Sequence, residues 1–362
     1  MSSIPTTPKS LFTPITLGDI ELPNRIIMAP LTRVRAEQGN IAGELMTEYY
    51  AQRASAGLLI AEATMAMENG SAFINEPGIH SAEQIAGWKK VTDAIHAKGG
   101  RIVLQIWHGG RACHPDMNDG NEPIAPSAIA IDDEVHTPKG KKPYTVPREL
   151  SDDEIPTIVA GFRKAAENAK EAGFDGVEVH GANGYLLDSF LRDGSNQRNG
   201  DYGGPLENRA RLLLEVIEAV VGVWGSGRVG VRTSPLNSYN SMKDSDPIGM
   251  TEYLAKQFNR FNLAYWHLMR ADFFGVQTGD VVTPARAAYN GNLVTNMGYS
   301  REEADVTIAN QQADAVAFGV PFIANPDLVE RFQQNAELNQ ANPDTFYTPG
   351  PVGYTDYPIL SN

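Results

Sequence analysis

The sequence predicts a (β/α)8 barrel of the TIM type, an α/β fold, and three observations predict it. Eight short apolar runs recur along the chain, helices with matching start and stop signals lie between several of them, and no fingerprint of a doubly wound dinucleotide-binding sheet is present. With 362 residues the chain fits one barrel carrying insertions, so residues 1–362 are read as a single domain.

The runs are Arg25–Leu31, Gly57–Ala63, Arg101–Trp107, Asp175–His180, Arg228–Ser234, Ala264–Met269, Asn292–Asn296 and Asp314–Gly319. Short, nearly continuous apolar segments are what strands buried on both faces of a parallel sheet require. Before the first of them, residues 11–24 read as a hairpin, with a Gly18–Asp19 turn between Thr13–Leu17 and Ile20–Leu22, expected to plug the barrel floor. Ser81 with Gln84 opens a helix that closes at Gly99–Gly100. Ser151 with Glu154 is a capping box ahead of Ile155, Ile158, Val159, Phe162, Ala166 and Ala169, and that helix stops at Gly173. Ser300 with Glu303 repeats the box before the last strand. Residues 109–150, rich in Pro, Asp, Gly and Lys, are about forty residues, too long for an ordinary strand-to-helix connection. An insertion after a strand's C-terminal end is expected to act as a lid over the mouth.

Composition narrows the function. The hydrophobic content of 42% supports a large core. The formal charge of −14, from 44 acidic against 30 basic residues, opposes the positive field that nucleic acid or anionic lipid demands. Cys113 is the only cysteine, which rules out an intramolecular disulfide, a thiolate zinc cage and a protein-held iron–sulfur cluster, and fits a reducing cytoplasm. Met1–Phe12 lacks a signal-peptide h-region, and the apolar run Leu212–Trp224 is broken by Glu215 and Glu218. The expectation is a cytoplasmic protein with no membrane segment, either monomer or homodimer.

In such a barrel the C-terminal ends of the strands face the catalytic pocket. That rule selects Thr32, Arg33, Glu62, Thr64, Gln105, Trp107, His108, His180, Asn183 and Arg232. His180 and Asn183, three residues apart in a glycine-rich segment, are expected on one helical turn and hence on one face, where a neutral imidazole and an amide can both donate to a single oxygen. Tyr185 is near enough to supply a proton. The same segment also fits a core histidine followed by a helix-capping asparagine. Arg232 on an apolar strand needs an anionic or polar partner, either a structural ion pair or a cofactor that becomes negative on reduction. His108, His114 and Asp116 match no strong metal-ligand pattern, so no metal site is assigned. There is also no P-loop and no GxSxG elbow, which leaves the loops Asn296-Met297-Gly298 and Gly319-Val320 as phosphate-binding candidates.

Six segments, in order, carry a resemblance. They are Asn24-Arg25 with Met28-Ala29-Pro30-Leu31-Thr32-Arg33, Tyr49-Tyr50-Ala51-Gln52-Arg53-Ala54, Gln105-Ile106-Trp107-His108, His180-Gly181-Ala182-Asn183-Gly184-Tyr185-Leu186, Asp201-Tyr202-Gly203-Gly204 with Glu207-Asn208-Arg209, and Gly353-Tyr354-Thr355-Asp356-Tyr357-Pro358. Together they resemble the bacterial ene-reductases of the Old Yellow Enzyme family over about Leu11 to Leu360. The resemblance implies FMN held noncovalently across the barrel mouth and NADPH or NADH as reductant. The substrate is implied to be a small electrophilic alkene: an α,β-unsaturated carbonyl or nitroalkene, with nitrate esters as a further class.

By matched position, Pro30, Leu31 and Thr32 would contact the flavin ring, Ala63 and Gln105 its pyrimidine edge, and Arg232 the reduced anionic flavin. Met297, Gly298, Gly319 and Val320 would hold the phosphate. His180 and Asn183 would bind the substrate oxygen and Tyr185 would protonate Cα, with Phe73, Trp107 and Tyr354 in the substrate pocket. Two positions depart from the pattern. Val320 stands where many relatives place a phosphate-binding arginine, a loss of about 1.5–3 kcal/mol unless another cation compensates. Phe73 stands where relatives often carry a pocket tyrosine. A chain without that arginine could instead be a flavin- or ligand-binding stress protein with little turnover; retention of His180, Asn183, Tyr185 and Arg232 speaks for the reductase.

Overall fold

The computed structural model describes residues 10–360; most of the signal-peptide reading of Met1–Phe12 therefore lies outside the described residues. Eight parallel strands close into a barrel: β1 (Ile26–Met28), β2 (Leu58–Met65), β3 (Ile102–Trp107), β4 (Gly176–Gly181), β5 (Val229–Thr233), β6 (Tyr265–Met269), β7 (Leu293–Asn296) and β8 (Ala315–Phe318). Each pairs with its sequence neighbours, and β8 returns to β1 through Val316↔Ile26. Seven of the eight begin and end within two residues of the apolar runs, and β1 stops three residues short of Leu31; burial on both faces leaves little room for polar residues inside a strand.

Helices cover the outside. The Ser81–Gln84 box caps Ala82–His96, and the Ser151–Glu154 box opens a short 3-10 turn that runs into Ile155–Glu171. Ser300 accepts from the Glu303 N–H, but the Glu303 carboxylate is drawn to Arg270 instead of back to the cap, so only half of that box forms. The apolar run ending at Trp224 is the amphipathic helix Leu206–Trp224, whose inner face, with Leu212, Leu213, Val216, Ile217 and Val220, is fully buried in the main core. Among the described residues no helix is long and apolar enough to cross a membrane.

At the N-terminal end of the barrel, Ile15–Leu17 and Ile20–Leu22 form an antiparallel hairpin. Leu17, Ile20 and Leu22 join Ile27, Leu58, Ile60, Val103 and Val294 in one buried cluster. The turn glycine Gly18 has φ +58, and a Cβ there would lie 2.3 Å from the Gly227 carbonyl oxygen, so a side chain is excluded both by conformation and by space.

Residues 109–150 form a unit with two small sheets. A hairpin pairs Glu134–Thr137 with Gly140–Pro143, and Ile124–Ala125 runs parallel to Arg148–Glu149. Asp116 ties the hairpin down through Lys139, at 2.7 Å, and Lys142. Ala112, Ile131 and Tyr144 from this unit pack around Trp107 and Tyr185.

Candidate active site

A cavity of about 670 Å³ opens at the C-terminal end of the barrel. It brings together Pro30, Leu31, Thr32, Ala63, Phe73, Gln105, Trp107, His180, Asn183, Tyr185, Arg232, Met297, Gly298, Gly319 and Val320. No residue of 109–150 lines it; that unit stands behind the Trp107–Tyr185 wall.

Three expectations need correction. Tyr354 does not reach the cavity: it is fully buried and stacked on Tyr49 at 4.0 Å, near the Arg33 and Arg35 guanidinium groups. The tail contributes Phe346 and Tyr347 in its place, because Arg33 and Arg35 both hold the Phe346 carbonyl, at 3.0 and 2.8 Å. Glu62 and Thr64 also turn away from the cavity. A bulge in β2, where the pairing jumps from Ala61↔Leu104 to Thr64↔Ile106, inverts the inward alternation and presents Ala63. Glu62 instead accepts from the Arg33 N–H at 3.2 Å and Tyr50 Oη at 3.0 Å, and burial lifts its carboxyl to about 7. His108, likewise outside the cavity, accepts the Gly110 N–H at Nδ1 (2.9 Å), and burial pushes it down to about 4.

The third correction concerns how His180 and Asn183 share a cavity. They do not sit on a helical turn. His180 ends an extended strand, and Asn183 adopts φ +56 before Gly184 at φ +74, a left-handed pair that swings the chain back over the strand end. A Cβ on Gly184 would lie 2.7 Å from Asn240 Cβ.

The protonation of this pair follows from its neighbours. The Ala182 N–H points at His180 Nδ1 (3.4 Å), so Nδ1 is the acceptor and Nε2 carries the hydrogen. Burial, reinforced by the Arg232 charge, pushes His180 down to about 3, and the ring is neutral. Asn183 Oδ1 accepts from Asn237 Nδ2 at 2.9 Å, which leaves the Asn183 NH2 for the cavity. Tyr185 packs edge-on against Trp107 with ring centroids 4.3 Å apart. Burial, then the neighbouring Tyr239, hold its hydroxyl well above the ordinary phenol value, so it stays protonated.

Below this rim lies a buried polar layer. Register places His180 beside Arg232 and Arg232 beside His267. Glu178 accepts from Gln105 Nε2 at 2.7 Å and pairs with His267 Nδ1 at 3.0 Å. Burial acts to raise the Glu178 pKa, but His267, Arg232 and the hydrogen bonds outweigh it, so the carboxylate is ionised and balances Arg232. Arg232 Nε has no hydrogen-bond partner among the described residues, nor has Trp107 Nε1 or Asn296 Oδ1. Unpaired buried donors and acceptors around a cavity are costly unless a ligand satisfies them. A planar, polar-edged heterocycle such as flavin fits: Arg232 offers a cation to one edge, and Gln105, its amide nitrogen committed to Glu178, offers its carbonyl oxygen. The predicted phosphate loop is backed by Arg270, which donates to the Met297 carbonyl at 2.8 Å and the Gly298 carbonyl at 3.3 Å while paired with Glu303.

A sequence profile of the NADH:flavin oxidoreductase / NADH oxidase family matches residues 10–339. The chain belongs to this family. A protein of Leishmania infantum named as a probable flavin mononucleotide-dependent alkene reductase is 46% identical over 353 residues, covering 96% of each chain. Rice 12-oxophytodienoate reductase 1 (Oryza sativa subsp. japonica) is 43% identical over 358 residues, 97% of this chain and 93% of that protein. Among solved structures, morphinone reductase superposes with a TM-score of 0.95 at 46% identity, over 99% of this chain and 98% of its own. The old yellow enzyme from Trypanosoma cruzi gives 0.94 at 46% identity, over 97% and 99%. As a member of this family, the chain is an FMN-dependent oxidoreductase with a nicotinamide reductant and the family's closed barrel.

The cavity residues that no sequence motif marks are mostly aromatic: Tyr239, Phe273, Phe274, Tyr299, Phe346 and Tyr347. The first three follow β5 and β6, so the strand-end rule already contained the signal. The tail pair arrives from far along the chain with no local marker.

Proposed function

We propose that this chain reduces the C=C bond of activated alkenes, α,β-unsaturated carbonyls and nitroalkenes, with nitrate esters as a further substrate class, at the expense of NADPH or NADH. The observation that carries the reading is the pair of neutral donors, His180 Nε2–H and the Asn183 NH2, on one aromatic-walled cavity beside Arg232, whose Nε lacks a hydrogen-bond partner among the described residues. The chemistry that FMN supplies when bound is two-electron hydride exchange, taken from the nicotinamide and given to the alkene β-carbon.

The chain's own residues do the rest. His180 and Asn183 hydrogen-bond the carbonyl or nitro oxygen and stabilise the negative charge that grows there as the alkene is reduced. Neutral donors suit this task, since an imidazolium would hand over its proton instead of holding a charge. Tyr185, protonated throughout the neutral range, delivers the proton to Cα. Trp107 and Phe73, with ring centroids 6.1 Å apart, form an apolar wall that excludes water from that transfer. Thr32, Ala63, Gln105 and Arg232 would hold the flavin ring, and the Met297–Gly298 and Gly319–Val320 loops its phosphate. A single buried cysteine, Cys113, supports a cytoplasmic setting.

The deciding experiment is an absorption spectrum of the purified holoprotein. Anaerobic NADPH or NADH should bleach the flavin band, and 2-cyclohexenone should restore it. Bleaching without recolouring, or cyclohexenone turnover no faster than that of free flavin, would favour the stress-protein reading over the reductase.

A further inference from the structure

We infer that Asn237 is a positioning residue that locks the Asn183 amide so that only its NH2 group faces the substrate oxygen, an inference that rests on the oxygen-clamp reading above. An asparagine side chain has a donor end and an acceptor end of nearly equal shape, so a free amide would present the wrong end to an oxygen part of the time. Nothing in Asn183 itself breaks that symmetry.

Asn237 breaks it. The residue is fully buried, on the loop after β5. Its Oδ1 faces two backbone donors, the Phe273 N–H at 3.2 Å and the Tyr239 N–H at 3.4 Å. Backbone N–H groups cannot reverse their role, so Oδ1 must point at them and Nδ2 must point away. Nδ2 then donates to Asn183 Oδ1 at 2.9 Å. Reversing Asn183 would set two NH2 groups against each other. The main chain of Asn237 is equally committed, its N–H donating to the Ser234 carbonyl at 3.0 Å and its carbonyl accepting from buried Arg192 at 2.8 Å. Asn183 is held at the backbone as well, by Ser234 Oγ at 2.7 Å and Asn240 Nδ2 at 2.9 Å. A fixed backbone polarity is thus relayed through two amides to the cavity. The same residue joins the loop carrying Phe273, a cavity wall, to the clamp.

The test uses oxidised holoenzyme titrated with 4-hydroxybenzaldehyde, whose phenolate oxygen accepts from the clamp, followed by the long-wavelength charge-transfer band. Asn237→Asp keeps the two backbone contacts but presents an acceptor to Asn183, which should turn the NH2 away from the cavity. We expect Asn183→Ala to weaken phenolate binding by about tenfold or more, Asn237→Asp to weaken it comparably, and the double variant to be no weaker than Asn183→Ala alone. Asn237→Ala, which frees the amide without reversing it, should lose less and be equally silent in the Asn183→Ala background. The inference is overturned if Asn237→Asp binds like the parent. It is equally overturned if the Asn237 substitutions weaken binding by the same factor with and without Asn183, the signature of a general charge or structural effect. An Asn183→Ala variant that binds phenolate normally would instead overturn the clamp itself.

Discussion

The floor and the mouth of the barrel are built from the same eight strands, yet they obey opposite rules. At the floor, Leu17 and Ile20 of the hairpin pack with Ile27, Leu58, Ile60 and Val103 of the barrel strands in one buried cluster. At the mouth, inward positions carry Gln105, His180 and Arg232, and Arg232 Nε and Trp107 Nε1 lack partners. Between them, the ionised Glu178 is balanced by Arg232 and hydrogen-bonded by Gln105 and His267. At the mouth, the polar groups that the protein leaves without partners line the cavity, where a ligand can complete them. The floor supplies stability, whereas the mouth holds unmet hydrogen-bonding capacity in reserve for chemistry.

Several substitutions would break or sharpen that contrast. The largest effect is expected from removing the clamp: His180→Ala with Asn183→Ala should lower kcat/KM for 2-cyclohexenone by about 10⁴-fold, while the urea midpoint shifts little. A large loss of stability would mean that the pair belongs to the core. Tyr185→Phe should slow alkene turnover by about 10³-fold and leave the rate of flavin bleaching by NADPH in stopped flow unchanged; slowed bleaching would remove the tyrosine from the protonation step. At the floor, Leu58→Ala should cost about 3 kcal/mol of stability in chemical denaturation, yet leave the turnover of the folded fraction intact.

Smaller effects sharpen the picture at the edges. Val320 is 53% exposed on the predicted phosphate loop, so an arginine there meets no steric barrier. Val320→Arg should tighten FMN by about tenfold, read as the dissociation constant in dialysis or fluorescence recovery; an unchanged constant would show that another cation already serves. The smallest expectation is a pH effect. His180 sits near 3 in the folded chain against about 6.5 unfolded, so the unfolded state binds the proton first as pH falls. Its contribution is complete above about 6.5 and is lost on descent toward 3, by up to about 1.4 kcal/mol per pH unit. Urea midpoints at pH 7 and pH 5 should therefore differ less in His180→Ala than in the parent, and alkene kcat/KM should show no ionisation of this histidine between pH 5 and pH 8.

How legible the site was in the sequence varied with the distance over which its geometry is set. Thr32, Gln105, Trp107, His180 and Arg232 reach the cavity because they end or follow a strand, and strand ends can be read locally. Glu62 misled because a single bulged residue reverses the inward alternation, and an apolar run carries no mark of a bulge. Tyr354 misled because its place is decided by three arginines far away in the chain: Arg33 and Arg35 near its ring and Arg53 in contact with its carbonyl. Asn183 lines the cavity through left-handed backbone and not through helical spacing, and either geometry brings a residue back across its neighbour.

The sequence by itself determined the barrel, the floor hairpin's strands, the caps of its helices and the identity of the donors at the mouth. Those depend on hydrophobic periodicity and on side-chain chemistry, which are written residue by residue. Tertiary structure alone decided which end of the Asn183 amide meets the cavity, which tail residues wall it, and which buried donors at the mouth lack partners. Each of those is a relation between segments remote in sequence, fixed only when the strands close and bring one backbone donor to face another chain segment's acceptor.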